Sequence, residues 1–200
     1  AHAQQGDPED VLRTLDRFAR EIRFLMNVGP EKGPLLFELL DQLPRPARVL
    51  ELGAFCGYSA IMITNRLGAG SHLISVEKNP EAAEASRDNV AFAGLADRVE
   101  IIEGSSSDRI PTLLGPFQLV FFDHWKDLYL TDLKLLEAHE LLAPGCIIVA
   151  DNVGPLFGAE TYLSYVRGCG RYDSENRPAK VEYSDLPDAV EISIWKGGAE

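Results

Sequence analysis

The chain has 200 residues, of which 46% are hydrophobic and 25% charged, and this balance predicts one globular domain with a sizeable core. It is too apolar for a disordered chain and too polar for a bundle of membrane helices. The formal net charge of −12 argues against nucleic acid and anionic membrane surfaces as partners. No apolar stretch approaches the roughly 18 residues of a membrane span, so we predict no membrane segment within this chain.

The chain carries three cysteines, Cys56, Cys146 and Cys169. An odd number without regular spacing does not fit a disulfide framework, so we expect reduced thiols and a cytoplasmic location. The first residues have none of the features of a signal peptide. A membrane anchor upstream of residue 1 would lie outside this sequence.

Two helices are predicted near the N-terminus. The first opens at Asp7-Pro8, a capping residue followed by a first-turn proline, and apolar residues follow it at helical spacing. The second begins near Gly29-Pro30, and Pro44 and Pro46 end it. We predict one domain over residues 1–200, in which the helices of residues 1–45 cover an active site formed by the core of residues 46–200.

From residue 46 onward, short apolar runs alternate with helical patterns. The strand-like runs cover residues 49–52, 73–77, 99–102, 118–123 and 146–151, with two more near 180–183 and 190–195. The helical patterns cover residues 58–67, 80–93, 108–114, 128–142 and 159–166. Continuous apolar strands joined by helical crossovers predict an α/β fold with a doubly wound parallel sheet that is covered on both faces.

A glycine turn follows the first predicted strand. The strand ends in Glu51-Leu52-Gly53, and the turn closes at Gly57 before the next helix. Ligands of doubly wound sheets bind at the carboxyl ends of the strands, where glycines let the backbone pass close to them. The G-x-x-x-G spacing differs from the G-x-G-x-x-G of dinucleotide binders, which cradle a pyrophosphate. It favours S-adenosylmethionine, which has no phosphate, over a dinucleotide-dependent oxidoreductase.

An acid, Glu77, ends the second predicted strand. A carboxylate at this place can accept hydrogen bonds from both ribose hydroxyls of a nucleoside. It lies 24 positions after Gly53 (77 minus 53), close to the offset of about 20 residues typical of such sites. The alternative is a solvated strand-end acid next to Lys78. Turn and acid together favour a nucleoside-binding sheet.

Polar side chains also follow the fourth and fifth predicted strands. Asp123 ends one of them, and Asp151-Asn152 ends the other. Because neighbouring parallel strands end at the same edge of the sheet, we expect two carboxylates and a carboxamide to converge there. Oxygen ligands of this kind suit Mg²⁺. The alternative is that each acid caps the helix that follows it.

Lys126 follows Asp123 by three residues. A lysine normally stays protonated, but near a divalent cation and partly desolvated it can act as a base. The alternative is an ordinary surface charge. The predicted metal site makes the two interpretations about equally favoured.

These segments resemble the catechol O-methyltransferase family. The resemblance runs from about Gly6 to Gly197, and its most specific segments are 123–127 (DHWKD) and 150–153 (ADNV). It implies a single Rossmann-like domain with a seven-stranded, mostly parallel sheet whose final strand is antiparallel. It also implies Mg²⁺ held by Asp123, Asp151 and Asn152.

The resemblance further implies roles for individual residues. Lys126 is implied as the catalytic base, and Glu182 as the acid that receives a hydrogen bond from the second hydroxyl of a catechol. The implied contacts of S-adenosylmethionine are Met26 near the methyl group, Val28, Glu51, Tyr58 and Ser59 at the methionine tail, Glu77 at the ribose, Ser106, His124 and Trp125 at the adenine, and Gly53, Phe55 and Ser107 nearby. The implied substrate contacts are Phe24, Met26, Asp123, Trp125, Lys126, Asn152, Leu156 and Glu182.

Four positions depart from the family pattern. Phe55 stands where the family usually has tyrosine, and Phe24 where tryptophan is common. Leu156 replaces a usual proline and Ser107 a usual glutamine. None of these changes touches the predicted metal ligands or base, so the reaction type is expected to be unchanged.

The predicted activity is Mg²⁺-dependent methylation of one hydroxyl of a small catechol, by an enzyme expected to be a monomer. One alternative is a methyltransferase of caffeoyl-type or flavonoid diols, which would share the metal site. A second is a cofactor-binding protein without catalysis, which would have no need of the complete set of predicted metal ligands, base and acid.

Overall fold

The computed structural model describes residues 2–197 and forms a single α/β domain around a seven-stranded sheet. The strands are β1 (Arg48–Leu52), β2 (His72–Glu77), β3 (Val99–Glu103), β4 (Phe117–Phe122), β5 (Leu142–Ala150), β6 (Tyr172–Lys180) and β7 (Pro187–Trp195). Their order across the sheet is β3-β2-β1-β4-β5-β7-β6. Neighbours among β1–β5 are parallel, whereas β7 runs antiparallel to both β5 and β6. The predicted doubly wound sheet with one antiparallel strand is thus confirmed.

Seven α-helices accompany the sheet within the described residues. They are α1 (Pro8–Glu21), α2 (Gly29–Leu40), α3 (Tyr58–Leu67), α4 (Pro80–Phe92), α5 (Ser106–Arg109), α6 (Tyr129–Ala138) and α7 (Glu160–Gly168). Side-chain caps begin three of them: Asp7 accepts from the Asp10 amide at 3.0 Å, Asn79 from the Glu81 amide at 2.9 Å, and Ser105 from the Asp108 amide at 3.3 Å. The domain predicted over residues 1–200 also includes residue 1 and residues 198–200, which lie outside the described residues.

The sheet is buried on both faces, which explains why its central strands are continuous apolar runs. Along β1, Val49 packs into a layer with α2 and α3, while Leu50 and Leu52 pack into the opposite layer with α6 and α7. All three side chains are fully buried. Each contributes about 1.5–3 kcal/mol of hydrophobic stabilisation, which holds the strand ends, and the loops that follow them, in place.

Two predicted helix boundaries are wrong. The helix expected over 108–114 begins earlier, because Ser105 caps it, and continues only as a 3-10 turn over Ile110–Thr112, where Pro111 supplies no amide. The helix expected over 128–142 ends at Ala138, since Glu140 adopts a left-handed conformation (φ 54°). Residues 139–141 link the helix to β5, which begins at Leu142, the last residue of the predicted range.

The strand predicted over 180–183 is also misplaced. The actual strand, β6, covers Tyr172–Lys180 and ends where that prediction starts. It lies at the edge of the sheet with most of its side chains exposed, so its sequence is polar and contains Pro178. Residues 181–183 leave the strand, and Tyr183 has a φ of 57°.

The two N-terminal helices, α1 and α2, both pack on α3. Between residues 2 and 197, no helix is both long enough and apolar enough to cross a membrane.

Replacing Glu140 by glycine should stabilise the protein. Its left-handed φ of 54° strains a residue with a Cβ, and glycine removes that strain. We expect the free energy of unfolding to rise by about 0.5–1 kcal/mol, measured by urea denaturation. As a matched control, Glu84→Gly, on an exposed position inside α4, should lower it by about 1 kcal/mol. A decrease in both variants would contradict the account of how α6 ends.

Candidate active site

The turn between β1 and α3 requires glycine at two positions. Gly53 has a φ of 107°, and a Cβ there would lie 2.3 Å from the carbonyl oxygen of Asp123. Gly57 has a φ of 80°, and its Cβ would lie 2.8 Å from the Ser86 hydroxyl. The turn therefore packs directly against Asp123, the residue that follows β4, and Gly53 also borders open space.

Glu77 at the end of β2 is held by backbone amides. One carboxylate oxygen accepts from the Phe55 amide at 2.9 Å, and the other accepts from the Asn79 amide at 2.8 Å. Each oxygen retains a lone pair that can accept a further hydrogen bond. The acid is thus positioned beside the glycine turn, as a ribose-binding residue would need to be.

A cleft with two connected lobes runs along the carboxyl ends of the parallel strands. The first lobe, of about 420 Å³, is lined by Met26, Gly53, Phe55, Val76, Glu77, Lys78, Gly104, Ser105, Ser106, Asp123, His124, Trp125, Lys126, Leu128 and Asn152. The second, of about 330 Å³, is lined by Met26, His124, Trp125, Lys126, Asp127, Asn152, Leu156 and Phe157. Met26, Trp125, Lys126 and Asn152 are among the residues that line both, so the lobes meet there. Such a cleft can hold two small molecules end to end.

Several residues implied as cofactor contacts do not line the first lobe. Val28, Glu51, Tyr58 and Ser59 are buried behind the glycine turn. The hydroxyl of Ser107 donates to Asp132. In the first lobe the structure brings together Gly53, Phe55, Glu77, Ser106, His124, Trp125 and Met26.

Glu51 is fully buried and incompletely paired. The Ser75 hydroxyl donates to one of its oxygens, while the other has no hydrogen-bond partner among the described residues. Burial raises the pKa of Glu51 to about 7, and hydrogen bonds from Ser59 and Ser75 only partly offset this. A cationic group placed behind the turn would satisfy the unpaired oxygen.

His124 is held against a buried acid. Its Nε2 lies 2.8 Å from a carboxylate oxygen of Asp132, which is fully buried. Its Nδ1 has no partner within residues 2–197. The ring therefore has a fixed orientation at the wall of both lobes.

The predicted metal ligands converge at the edge of the sheet. Asp151 accepts from the Asn152 amide at 2.7 Å, and Asp123 borders the first lobe. Burial and the nearby Asp151 charge raise the pKa of Asp123 well above its ordinary value. Across residues 2–197, no three His, Cys, Asp or Glu side chains are grouped to hold a metal ion. The site has instead two carboxylates and one carboxamide, which is an oxygen-only set.

Lys126 is partly buried beside this cluster. Its Nζ donates to the Tyr129 hydroxyl at 2.8 Å, to the His124 carbonyl at 3.1 Å and to Asn152 Oδ1 at 3.4 Å. Desolvation lowers the pKa of Lys126, although the charges of Asp123 and Asp151 oppose the shift. The amine is thus fixed in the cleft with a reduced preference for its charged form.

Glu182 lies at the start of α2 and outside both lobes. Its carboxylate accepts from the amides of Lys32 at 3.0 Å and Glu31 at 3.4 Å. Burial raises the pKa of Glu182 to about 7. Of the other implied substrate contacts, Leu156 lines the second lobe, whereas Phe24 lies half exposed with its ring centroid 6.3 Å from that of Tyr183.

The sequence analysis missed Lys32 and Asp188. Lys32 lies on α2 and donates to Asp151 Oδ1 and to Asp188 Oδ2, both at 2.6 Å. Its position four residues before Leu36, on the buried side of the helix, is the one signal that could have indicated it. Asp188, in β7, has no comparable signal, because its partners come from distant segments.

The fold and the cleft define an S-adenosylmethionine-dependent methyltransferase. A family model described as a methyltransferase domain matches residues 50–153, which contain the glycine turn, Glu77 and the oxygen cluster. The structure also resembles the O-methyltransferase TomG from Streptomyces achromogenes, solved in complex with SAM, with a TM-score of 0.80 and 26% identity over 94% of this chain and 90% of that one.

Curated relatives narrow the class to one family. The chain is 42% identical to catechol O-methyltransferase B of Danio rerio and 39% identical to catechol O-methyltransferase of Mus musculus. Both alignments cover 98% of this chain and 75% of the relative. The chain belongs to the catechol O-methyltransferase family.

Replacing Gly53 by alanine should damage the turn. The new Cβ would overlap the Asp123 carbonyl in addition to straining the backbone. We expect the free energy of unfolding to fall by about 2–4 kcal/mol and S-adenosylmethionine binding to weaken, measured by denaturation and calorimetry. Gly68→Ala is the matched control, since Gly68 has a φ of 74° but open space around its Cβ. Equal losses in the two variants would contradict a special packing role for Gly53.

The raised pKa of Glu51 predicts that the stability of the folded protein depends on pH. Its folded-state pKa of about 7 lies above the ordinary 4.5, so the folded protein holds a proton that the unfolded chain has lost between these pH values. Stability attributable to Glu51 therefore falls as pH rises through this window, by on the order of 3 kcal/mol. Glu51→Gln should gain stability relative to wild type as pH rises from 4.5 to 7 in ligand-free protein. A pH-independent difference between the two proteins would contradict the raised pKa.

Proposed function

We propose that the chain transfers the methyl group of S-adenosylmethionine to one hydroxyl of a catechol in a Mg²⁺-dependent reaction. The products would be a methoxyphenol and S-adenosylhomocysteine. The observation that carries the proposal is that Lys126 and Asn152 line both lobes and Asp123 lines the first, while Asp151 lies buried next to Asn152 and outside both lobes. The names of the curated relatives support the same substrate class.

The first lobe suits S-adenosylmethionine. Glu77 would accept hydrogen bonds from the ribose, with Ser106, His124 and Trp125 beside the adenine and Met26 near the methyl group. The unpaired oxygen of buried Glu51 suits an ammonium, so the methionine tail would extend toward the turn. Val28, Tyr58, Ser59, Gly53 and Phe55 would shape this end, and Ser107 would act through Asp132.

The oxygen cluster suits Mg²⁺. Asp123, Asp151 and Asn152 present hard oxygen donors. Burial, together with repulsion from Asp151, raises the pKa of Asp123, and a divalent cation would favour its charged form. When bound, the ion would lower the pKa of a catechol hydroxyl and stabilise its anion.

Lys126 is the proposed base. Its lowered pKa increases the neutral fraction of the amine. The neutral amine has two N–H donors, so it would keep the shorter bonds to Tyr129 and His124 and release the 3.4 Å bond to Asn152, which leaves a lone pair for the substrate proton. Lys126 Nζ would take the proton of the hydroxyl, whose oxygen then attacks the methyl carbon as the sulfur departs. Sulfonium and oxyanion neutralise one another, so the main contribution of the protein is alignment.

The second lobe would hold the catechol ring. Met26, Trp125 and Leu156 provide apolar surface there, and Phe24 would lie at the mouth. Glu182 is proposed to accept from the second hydroxyl. In the described structure its oxygens are occupied by α2 amides, so this role requires the start of α2 to open.

We also propose that the protein is a cytoplasmic monomer. The three cysteines are free thiols, as expected in a reducing compartment. Of the exposed apolar side chains in residues 2–197, Met26, Phe55, Trp125 and Leu156 border the cleft, where ligands would cover them. A single mass near that of one chain in light scattering would support the monomer, and a doubled mass would contradict it.

Replacing Lys126 by methionine should remove the base while keeping most of the side-chain volume. We expect kcat with labelled S-adenosylmethionine, Mg²⁺ and catechol to fall by about 100- to 10,000-fold, with cofactor affinity unchanged by calorimetry. Lys134→Met, on the exposed face of α6, is the control and should retain full turnover. Unchanged kcat in Lys126→Met would contradict the base role. Caffeoyl and flavonoid diols assayed in parallel would reveal a preference for those substrates over simple catechols.

A further inference from the structure

Two buried side chains that the proposed reaction does not use lie directly behind the proposed metal ligands. They are Lys32 on α2 and Asp188 at the start of β7, and each is 4% exposed. Lys32 Nζ bridges Asp188 Oδ2 and Asp151 Oδ1 at 2.6 Å each. The pair therefore contacts the metal site from the side away from the cleft.

Asp188 holds the amide of Asn152. Its Oδ2 accepts from Asn152 Nδ2 at 2.8 Å as well as from Lys32, and its Oδ1 accepts from the Gly154 amide at 3.2 Å. The loop after β5 is further fixed to β7 by the Val153 amide, which donates to the Ala189 carbonyl at 2.9 Å. The Asp188 side chain and the Ala189 carbonyl thus attach this loop to β7.

The hydrogen bond from Asn152 Nδ2 determines which end of the amide faces the cleft. Asp188 can only accept, so it selects the NH₂ end of Asn152 and turns Oδ1 toward Lys126, 3.4 Å away. Only the carbonyl end of an amide can bind Mg²⁺. A flipped Asn152 would present hydrogens to the ion instead.

Lys32 makes a similar selection at Asp151. Its ammonium and the Asn152 amide both donate to Oδ1 of Asp151. Among the described residues, Oδ1 of Asp151 accepts both of these hydrogen bonds. Oδ2 of Asp151 is therefore available to bind a cation. Lys32 also balances the charge of Asp188 in a region that water does not reach.

We propose that Asp188 is a positioning residue that aims the carbonyl oxygen of Asn152 at Mg²⁺, with Lys32 as its counter-charge. This inference rests on the proposed function, because it requires a divalent cation at Asp123, Asp151 and Asn152. Partners of this kind typically change metal affinity by about 10- to 100-fold when removed.

Two substitutions at position 188 separate the hydrogen bond from the charge. Asp188→Asn and Asp188→Leu are similar in size and remove the same charge. The amide oxygen of Asp188→Asn can take the place of Oδ2 and accept from both Lys32 and Asn152, losing only the longer bond to Gly154. Asp188→Leu offers no acceptor, so Asn152 is free to flip.

The test is Mn²⁺ binding, followed by the paramagnetic resonance signal of the free ion, with S-adenosylmethionine affinity measured by calorimetry as a check of folding. We expect Asp188→Leu to bind Mn²⁺ about 10- to 100-fold more weakly than Asp188→Asn, with equal cofactor affinity. Raising Mg²⁺ should restore kcat in Asp188→Leu to that of Asp188→Asn, which a general structural defect would not allow.

Equal Mn²⁺ affinity in the two variants, with wild type binding normally, would overturn the role of Asp188. Absence of Mn²⁺ binding by wild type would overturn the proposed metal site and this inference with it. Should Asp188→Leu fail to bind S-adenosylmethionine, the comparison moves to Lys32→Met/Asp188→Leu and Lys32→Met/Asp188→Asn. These double variants also have matched charge, and they leave no buried ammonium next to a lost partner.

Discussion

The buried ammonium of Lys32 between Asp151 and Asp188 is the interaction on which the rest of the site depends. It joins α2 to the end of β5 and the start of β7, three segments far apart in the chain. Removal of one partner of such a pair costs about 3–5 kcal/mol, because the remaining charge stays buried. The backbone amide of the same lysine donates to Glu182, so one residue contacts both a proposed metal ligand and the acid proposed to bind the substrate.

The strands of the central sheet could be predicted because burial on both faces leaves its mark in the residues of each strand itself. Strands buried on both faces must be continuous apolar runs, and β1, β2, β4 and most of β5 follow this rule. The rule fails at the edge of the sheet. Most side chains of β6 are exposed there, so its sequence is polar and resembles that of a loop. Prediction also fails at the end of α6, because the left-handed Glu140 carries no sequence mark such as glycine.

The proximity of the candidate site residues was predictable to the extent that the sheet topology determines it. Asp123, Asp151 and Asn152 had to meet, because β4 and β5 are parallel neighbours, and the glycines at 53 and 57 had to mark a close approach. The family resemblance alone implied a role for Glu182, whose sequence surroundings suggest only a surface charge, and the structure places this residue outside both lobes. The pairing of Lys32 with Asp188 spans 156 positions and depends on how α2 packs over the sheet, which no spacing reveals.

The dependence of catechol methylation on free Mg²⁺ tests the central claim most directly. Transfer of labelled methyl to catechol should rise with Mg²⁺ in a saturable manner, stop in excess chelator and return when Mg²⁺ is restored. A phenol with a single hydroxyl, which cannot chelate the ion, should be methylated far more slowly under the same conditions. Undiminished transfer in chelator, or equal transfer to the single-hydroxyl phenol, would contradict the assignment of Asp123, Asp151 and Asn152 as the site that activates the substrate.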